Sequence, residues 1–156
     1  MQALPLQVGP PLPVDPNAPR VIVLDTNVVL DVFIFSDVAA APVRAGLADG
    51  SLHWIATAEM REELRRVLDY THLVPRMTYY QLTAADVLAA FDRHAHLVPV
   101  ADKTHLTCKD PDDQKFIDLA VGHQARILSK DQAVLCMKKR LLALSVPVQT
   151  ALDAAA

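Results

Sequence analysis

Four acidic side chains in this 156-residue chain have the type and setting to do chemistry together: Asp25, Glu63, Asp113 and Asp131. Asp25 ends the apolar run Val21-Ile-Val-Leu24 and is followed by Thr26 and Asn27. Asp131 follows a second run, Ala125-Arg-Ile-Leu-Ser129, after Lys130. Glu63 lies in the stretch Thr-Ala-Glu-Met-Arg-Glu-Glu-Leu, and Asp113 ends Asp110-Pro-Asp-Asp113. Brought to one place, four carboxylates repel and raise one another's pKa values. Divalent cations remove that repulsion. A carboxylate set without His or Cys suits Mg²⁺ or Mn²⁺, which take oxygen ligands. Such an ion polarises a phosphodiester and acidifies a bound water, which then attacks phosphorus.

The elements that must position these acids are legible in the pattern of apolar residues. A short β-branched run such as 21–24, bounded by polar residues, reads as a strand buried on both faces, and its last residue reaches the carboxyl edge of a parallel sheet. Residues 52–56 and 125–129 read the same way. Weaker strands fall at 97–100, where Pro99 interferes, and near 146–148. Between them the periodicity predicts helices over 28–35, capped by Asn27, over 38–49, ended at Gly50, over 58–70, capped by Thr57, and over 84–94, opened by the capping box Thr83-Ala-Ala-Asp86. Two more are predicted from Asp110 to about His123 and over 134–142, while 72–82 reads as irregular. Strands alternating with helices predict an α/β fold, a three-layer helix–sheet–helix sandwich with a mostly parallel central sheet. Asp25 and Asp131 then sit at carboxyl ends of strands, and Glu63 and Asp113 on helices that begin near that edge.

Each acid also has an ordinary reading. In the helix over 58–70 the apolar stripe is Met60, Leu64, Val67 and Leu68. Glu62 faces solvent opposite that stripe, beside Arg65 and Arg66, and Glu63 lies on its border. Periodicity alone favours Glu63 as a rim residue over a site residue. Acids in a first helical turn, such as Asp112 and Asp113, are usually complements to the helix dipole. Phase separates these two. With Pro111 at the first helical position, Asp110 is the N-cap. Phe116, Ile117 and Ala120 then fall within about 60° of Asp113 at 100° per residue, so Asp113 is centred on the buried stripe. Asp112 points about a quarter-turn away, toward Lys115 and solvent. A buried carboxylate is costly unless paired or metal-bound, which favours Asp113 as the ligand and Asp112 as a supporting group. Asp31 reads as a surface or supporting acid, His94 and His96 as a solvated helix end, and Lys138-Lys139-Arg140 as a solvated face.

Composition sets the frame. Apolar residues make up 52% and charged residues 21%, which is globular and not disordered. The net charge of −3 supplies no global basic field for nucleic acid, so acidic residues gathered around metal would have to offset it. Two cysteines without zinc or redox spacing point to a reducing compartment, and the N-terminus has no signal-peptide pattern, so a cytoplasmic location is expected. No stretch is apolar for the length of a membrane span. Residues 1–19 hold six of the eleven prolines and read as an extended arm, 20–150 as one domain and 151–156 as a short tail.

Taken in order, the strand ending Asp-Thr-Asn, the helix with Glu63, the run Asp-Pro-Asp-Asp-Gln-Lys-Phe and the strand ending Ile-Leu-Ser-Lys-Asp resemble the PIN-domain family. The resemblance spans roughly residues 20–150 and is nearest to bacterial PIN proteins classed as toxin components of toxin–antitoxin systems, the VapC-like ribonucleases. It implies a Mg²⁺- or Mn²⁺-dependent endoribonuclease with an acidic tetrad at the sheet's carboxyl edge. Matched residue by residue, the tetrad is Asp25, Glu63, Asp113 and Asp131, with Ser129 and Asn27 as supporting polar residues. It lifts Glu63 from rim residue to ligand. It also implies an RNA substrate, an antitoxin protein as partner and a homodimer. Two features depart from the family pattern: the proline-rich leader, and Asp31 where a small or polar residue is usual. A PIN-fold binding or scaffold protein that does not cut is the alternative. A phosphotransferase with Asp25 as nucleophile ranks last, because Asn27 stands where the haloacid-dehalogenase type has its second aspartate.

Overall fold

In the computed structural model, residues 20–35 and 38–152 are described; the proline-rich arm over 1–19 and the last residues of the tail lie outside them. Five strands form one parallel sheet: β1 (Arg20–Leu24), β2 (Leu52–Ala56), β3 (Ala95–Leu97), β4 (Arg126–Leu128) and β5 (Val148–Gln149). Their order across the sheet is β3-β2-β1-β4-β5. The eight helices of the described residues are α1 (Thr26–Phe33), α2 (Ala41–Asp49), α3 (Ala58–Val67), α4 (Val74–Tyr79), α5 (Ala84–His94), α6 (Gln114–His123), α7 (Gln132–Leu135) and α8 (Lys138–Leu142). Because crossovers between parallel strands are right-handed, α1–α5 cover one face and α6–α8 the other. The packing agrees: α1 touches α2 and α3, α3 touches α5, and α6 lies on β1 and β4. This is the expected helix–sheet–helix sandwich. None of the described helices is long and apolar enough to cross a membrane.

The strand order decides where a site can form. From β1 the chain builds outward through β2 and β3, then returns to the other side of β1 for β4 and β5. Connections from β1 and β4 therefore leave toward opposite faces and open a crevice above their carboxyl ends, the place where open α/β sheets bind ligands. Pairing of Leu24 with Leu128 makes those two ends level. The Asp25 N–H donates to the Leu128 carbonyl at 3.0 Å, so Asp25 and Ser129 emerge side by side.

The core follows from the sequence pattern. Ile22, Val23 and Leu24 on β1 and Ile127 and Leu128 on β4 are buried, as strands covered on both faces must be. Trp54 on β2 packs edge-on to Phe91 of α5, with ring centroids 4.9 Å apart. On the other face Phe116, Ile117, Leu119 and Ala120 of α6 are buried against β1 and β4.

Several boundaries depart from the sequence expectation. Asp25, and not Asn27, is the N-cap of α1; its side chain accepts from the Asn27 N–H, and Asn27 is exposed. A short side chain in extended backbone ahead of a helix caps equally well as Asp or Asn, so the strand's last residue takes the role. The stretch 72–82, read as irregular, contains α4: Pro75 sits in its first turn, and Leu73 and Met77, four residues apart, are buried. β3 starts directly after α5 at Ala95, two residues before the predicted strand, and so avoids placing Pro99 in the ladder. The single helix predicted over 134–142 is two, α7 and α8, divided at buried Met137. Asp110 does cap the next segment, but residues 111–113 form a 3₁₀ turn before α6 begins at Gln114. Asp110→Ala is expected to lower stability by about 1 kcal/mol, read as a shifted denaturant midpoint, because the Asp112 N–H loses its acceptor.

Candidate metal centre

Three carboxylates converge above β1 and β4. Asp25, Asp113 and Asp131 each offer an oxygen, and the three oxygens lie within 4.8 Å of one another. Asp25 is delivered by the end of β1, Asp131 by the turn after β4, where it also caps α7, and Asp113 by the 3₁₀ turn ahead of α6. Asp25 and Asp113 are buried. Ser129, fully buried, ties two of the acids together: its hydroxyl donates to Asp25 Oδ2 at 2.6 Å and accepts from the Asp131 N–H at 3.0 Å. Asp25 Oδ1 accepts from the Asn27 N–H at 3.1 Å, and Asp131 Oδ1 from the Ala133 N–H at 2.9 Å. The carboxylates are thus oriented by donors before anything binds. Ser129→Ala is expected to cost about 1–3 kcal/mol, because it leaves a buried acceptor and a part-buried N–H without partners.

Asp113 differs from the other two. Its Oδ2 is buried and has no hydrogen-bond partner. Burial, then its contact with the Asp131 carboxyl, then the charge of Asp25 push its pKa from 3.8 up to about 8. Asp25 is raised as well, chiefly by burial, with the Ser129 hydroxyl and the Asn27 N–H opposing. A raised folded-state pKa means that the folded chain holds a proton the unfolded chain releases. Stability of the metal-free protein should therefore fall as pH rises from about 4 toward about 8. Melting temperatures across that range, with and without Mn²⁺, check this; Asp113→Asn should flatten the metal-free dependence.

The donor set fits a hard divalent cation. Oxygens bound to Mg²⁺ at about 2.1 Å lie no more than about 4.2 Å apart across the ion, so the three acids need only a small closure. His is absent from the cluster. The nearby Cys108 thiol donates to the Ala133 carbonyl at 3.4 Å, and burial pushes its pKa up, so it is not a thiolate ligand. An uncompensated buried oxygen on Asp113 is what a metal ligand leaves behind.

Glu63 stands apart from this triad. It projects from α3, half-buried, and accepts from the Thr26 hydroxyl through Oε2 and from Lys115 Nζ through Oε1. It is neither a free rim residue nor one of the three gathered oxygens. Lys115, which the helix phase placed toward solvent, turns back instead: its ammonium meets Glu63 and the Asp112 carbonyl, and its side chain is 15% exposed. Asp112 is exposed, and it is its backbone that takes part. Asp31 pairs with Lys130, Glu62 bonds Arg65 at 3.0 Å, and Lys138, Lys139 and Arg140 are exposed, each as its pattern suggested. His94 stacks on Phe33 and His96 on His53, away from the acids. Thr26 and Lys115 were missed as site residues. Their only signal is adjacency, next to Asp25 and two after Asp113.

No curated protein matches the chain. The family model described as PIN domain matches residues 21–133, a span that holds Asp25, Glu63, Asp113, Ser129 and Asp131. PIN domains are generally nucleases that use divalent metals, and an acidic triad at the carboxyl edge of a five-stranded parallel sheet is compatible with that chemistry. The chain belongs to the PIN domain family.

Proposed function

We propose that the protein is a Mg²⁺- or Mn²⁺-dependent endoribonuclease, hydrolysing RNA phosphodiesters with a metal-activated water. The observation that carries this reading is the triad of Asp25, Asp113 and Asp131, with one buried carboxyl oxygen left unpartnered. A bound ion would polarise the scissile phosphate and lower the pKa of its water. Asp25, Asp113 and Asp131 hold the cation. Ser129 and the Asn27 N–H fix the direction of the Asp25 carboxylate, and the Ala133 N–H fixes that of Asp131. Glu63, anchored by Thr26 and Lys115, adds negative charge at the edge of the site. Exposed Lys109, next to Asp110, offers a cationic side chain for a substrate phosphate in a chain of net charge −3. A phosphotransferase with Asp25 as nucleophile is disfavoured, since Asn27 stands where that class has its second aspartate.

The same reading makes this chain the toxin of a bacterial toxin–antitoxin pair, acting in the cytoplasm, with an antitoxin protein as partner and a homodimer as its working form. Exposed Tyr70, Val74 and Tyr79 in and around α4 support a protein contact. Purified protein should cut single-stranded RNA with Mg²⁺ or Mn²⁺ and stop in excess EDTA, and an Asp25→Asn variant should not cut. Cleavage that persists in EDTA refutes the metal mechanism. Absence of cleavage under every metal condition favours the non-cutting scaffold. For the toxin role, unimpaired bacterial growth on expression, together with a monomer by light scattering, counts against it.

A further inference from the structure

The acids of the site divide three and one. Asp25, Asp113 and Asp131 gather their oxygens, while both oxygens of Glu63 are engaged by donors, Thr26 on one and Lys115 on the other. The Lys115 ammonium is held on three sides: Glu63 Oε1, the Asp112 carbonyl, and the Phe116 ring, whose centroid is 5.0 Å away. It lies on the first turn of α6, two residues from Asp113, beside the triad. We propose that Lys115 stands in for a second metal ion, so that the protein binds one divalent cation, at Asp25, Asp113 and Asp131, with Glu63 neutralised by the lysine.

This rests on the metal-dependent reading above. Four carboxylates carry −4 and Lys115 reduces this to −3; one divalent ion brings the site to −1, whereas a second would leave it net positive beside an ammonium. Two-metal sites hold their ions about 3.5–4 Å apart. A second ion using Glu63 would have to displace the ammonium from its three contacts or lie against a like charge. Lys115 thereby links α6 on one face of the sheet to α3 on the other, across the crevice, and fixes Glu63 at its edge.

Calorimetric titration of the metal-stripped full chain with Mn²⁺ tests this without reference to cleavage. Wild type and Lys115→Arg should each bind one ion. Lys115→Met should bind two, and adding Glu63→Gln to Lys115→Met should return the number to one. Two ions in wild type, or a single ion in Lys115→Met, overturn the proposal while leaving the metal-dependent reading intact. No binding by wild type overturns both.

Discussion

Asp113→Asn should abolish RNA cleavage and, without metal, raise the melting temperature. Both follow from one feature. Asp113 is buried with an unpartnered oxygen, and its charge is opposed by Asp25 and Asp131. An amide is neutral without taking up a proton and can donate to a neighbouring carboxylate, so the metal-free fold no longer has to neutralise a buried carboxylate beside two others. For a domain of this size, each 1 kcal/mol gained raises the melting temperature by about 2–4 °C. The amide is also a poor ligand, so the stabilisation by Mn²⁺ that mass action gives the wild type should disappear. Loss of groups that merely orient ligands costs about 10–100-fold in metal affinity or activity, so loss of a ligand should exceed about 100-fold. Asp112→Asn should be close to wild type in both assays, because its carboxylate is exposed. A variant Asp113→Asn that cuts normally and still gains stability from Mn²⁺ would remove Asp113 from the site.

The second large effect is expected at Asp25, without the gain in metal-free stability. Asp25→Asn should also lose at least about 100-fold in cleavage. Its metal-free melting temperature should not rise as that of Asp113→Asn does. Repulsion alone, as read from the sequence, would make both substitutions stabilising. The structure separates them. Asp25 accepts the Ser129 hydroxyl at 2.6 Å and the Asn27 N–H at 3.1 Å, and it caps α1. An amide turned to keep the cap points its NH₂ at Ser129, which already has the Asp131 N–H to accept. The lost charge-assisted bond offsets the relieved repulsion. Thermal melts of the two variants in EDTA, side by side, read this difference directly.

Much of this was legible because chemistry and periodicity coincided. The runs 21–24 and 125–129 are short, largely apolar and followed by acids, Asp25 directly and Asp131 after Lys130, so burial and position at the sheet edge follow from neighbouring residues. Helix phase put Asp113 rather than Asp112 on the buried side, because Phe116, Ile117 and Ala120 mark that side and the turn before α6 keeps it. What stayed hidden depends on contacts between distant segments. Glu63 is 37 residues from Thr26 and reaches Lys115 only across the sheet edge, and nothing in the spacing of either helix encodes that meeting. Helix α4 was missed for a related reason: six residues show too little periodicity, and its stability comes from burying Leu73 and Met77. The split of α7 from α8 at Met137 is likewise a matter of packing, since its sequence has no Gly or Pro to mark a break.

A crystal soaked in Mn²⁺ and measured at the manganese absorption edge locates the ion. One strong anomalous peak is expected above the carboxyl ends of β1 and β4, with oxygens of Asp25, Asp113 and Asp131 at about 2.2 Å and Glu63 still paired with Lys115. A peak elsewhere, or none at these three acids in a crystal whose protein cleaves RNA with Mn²⁺, would contradict this assignment.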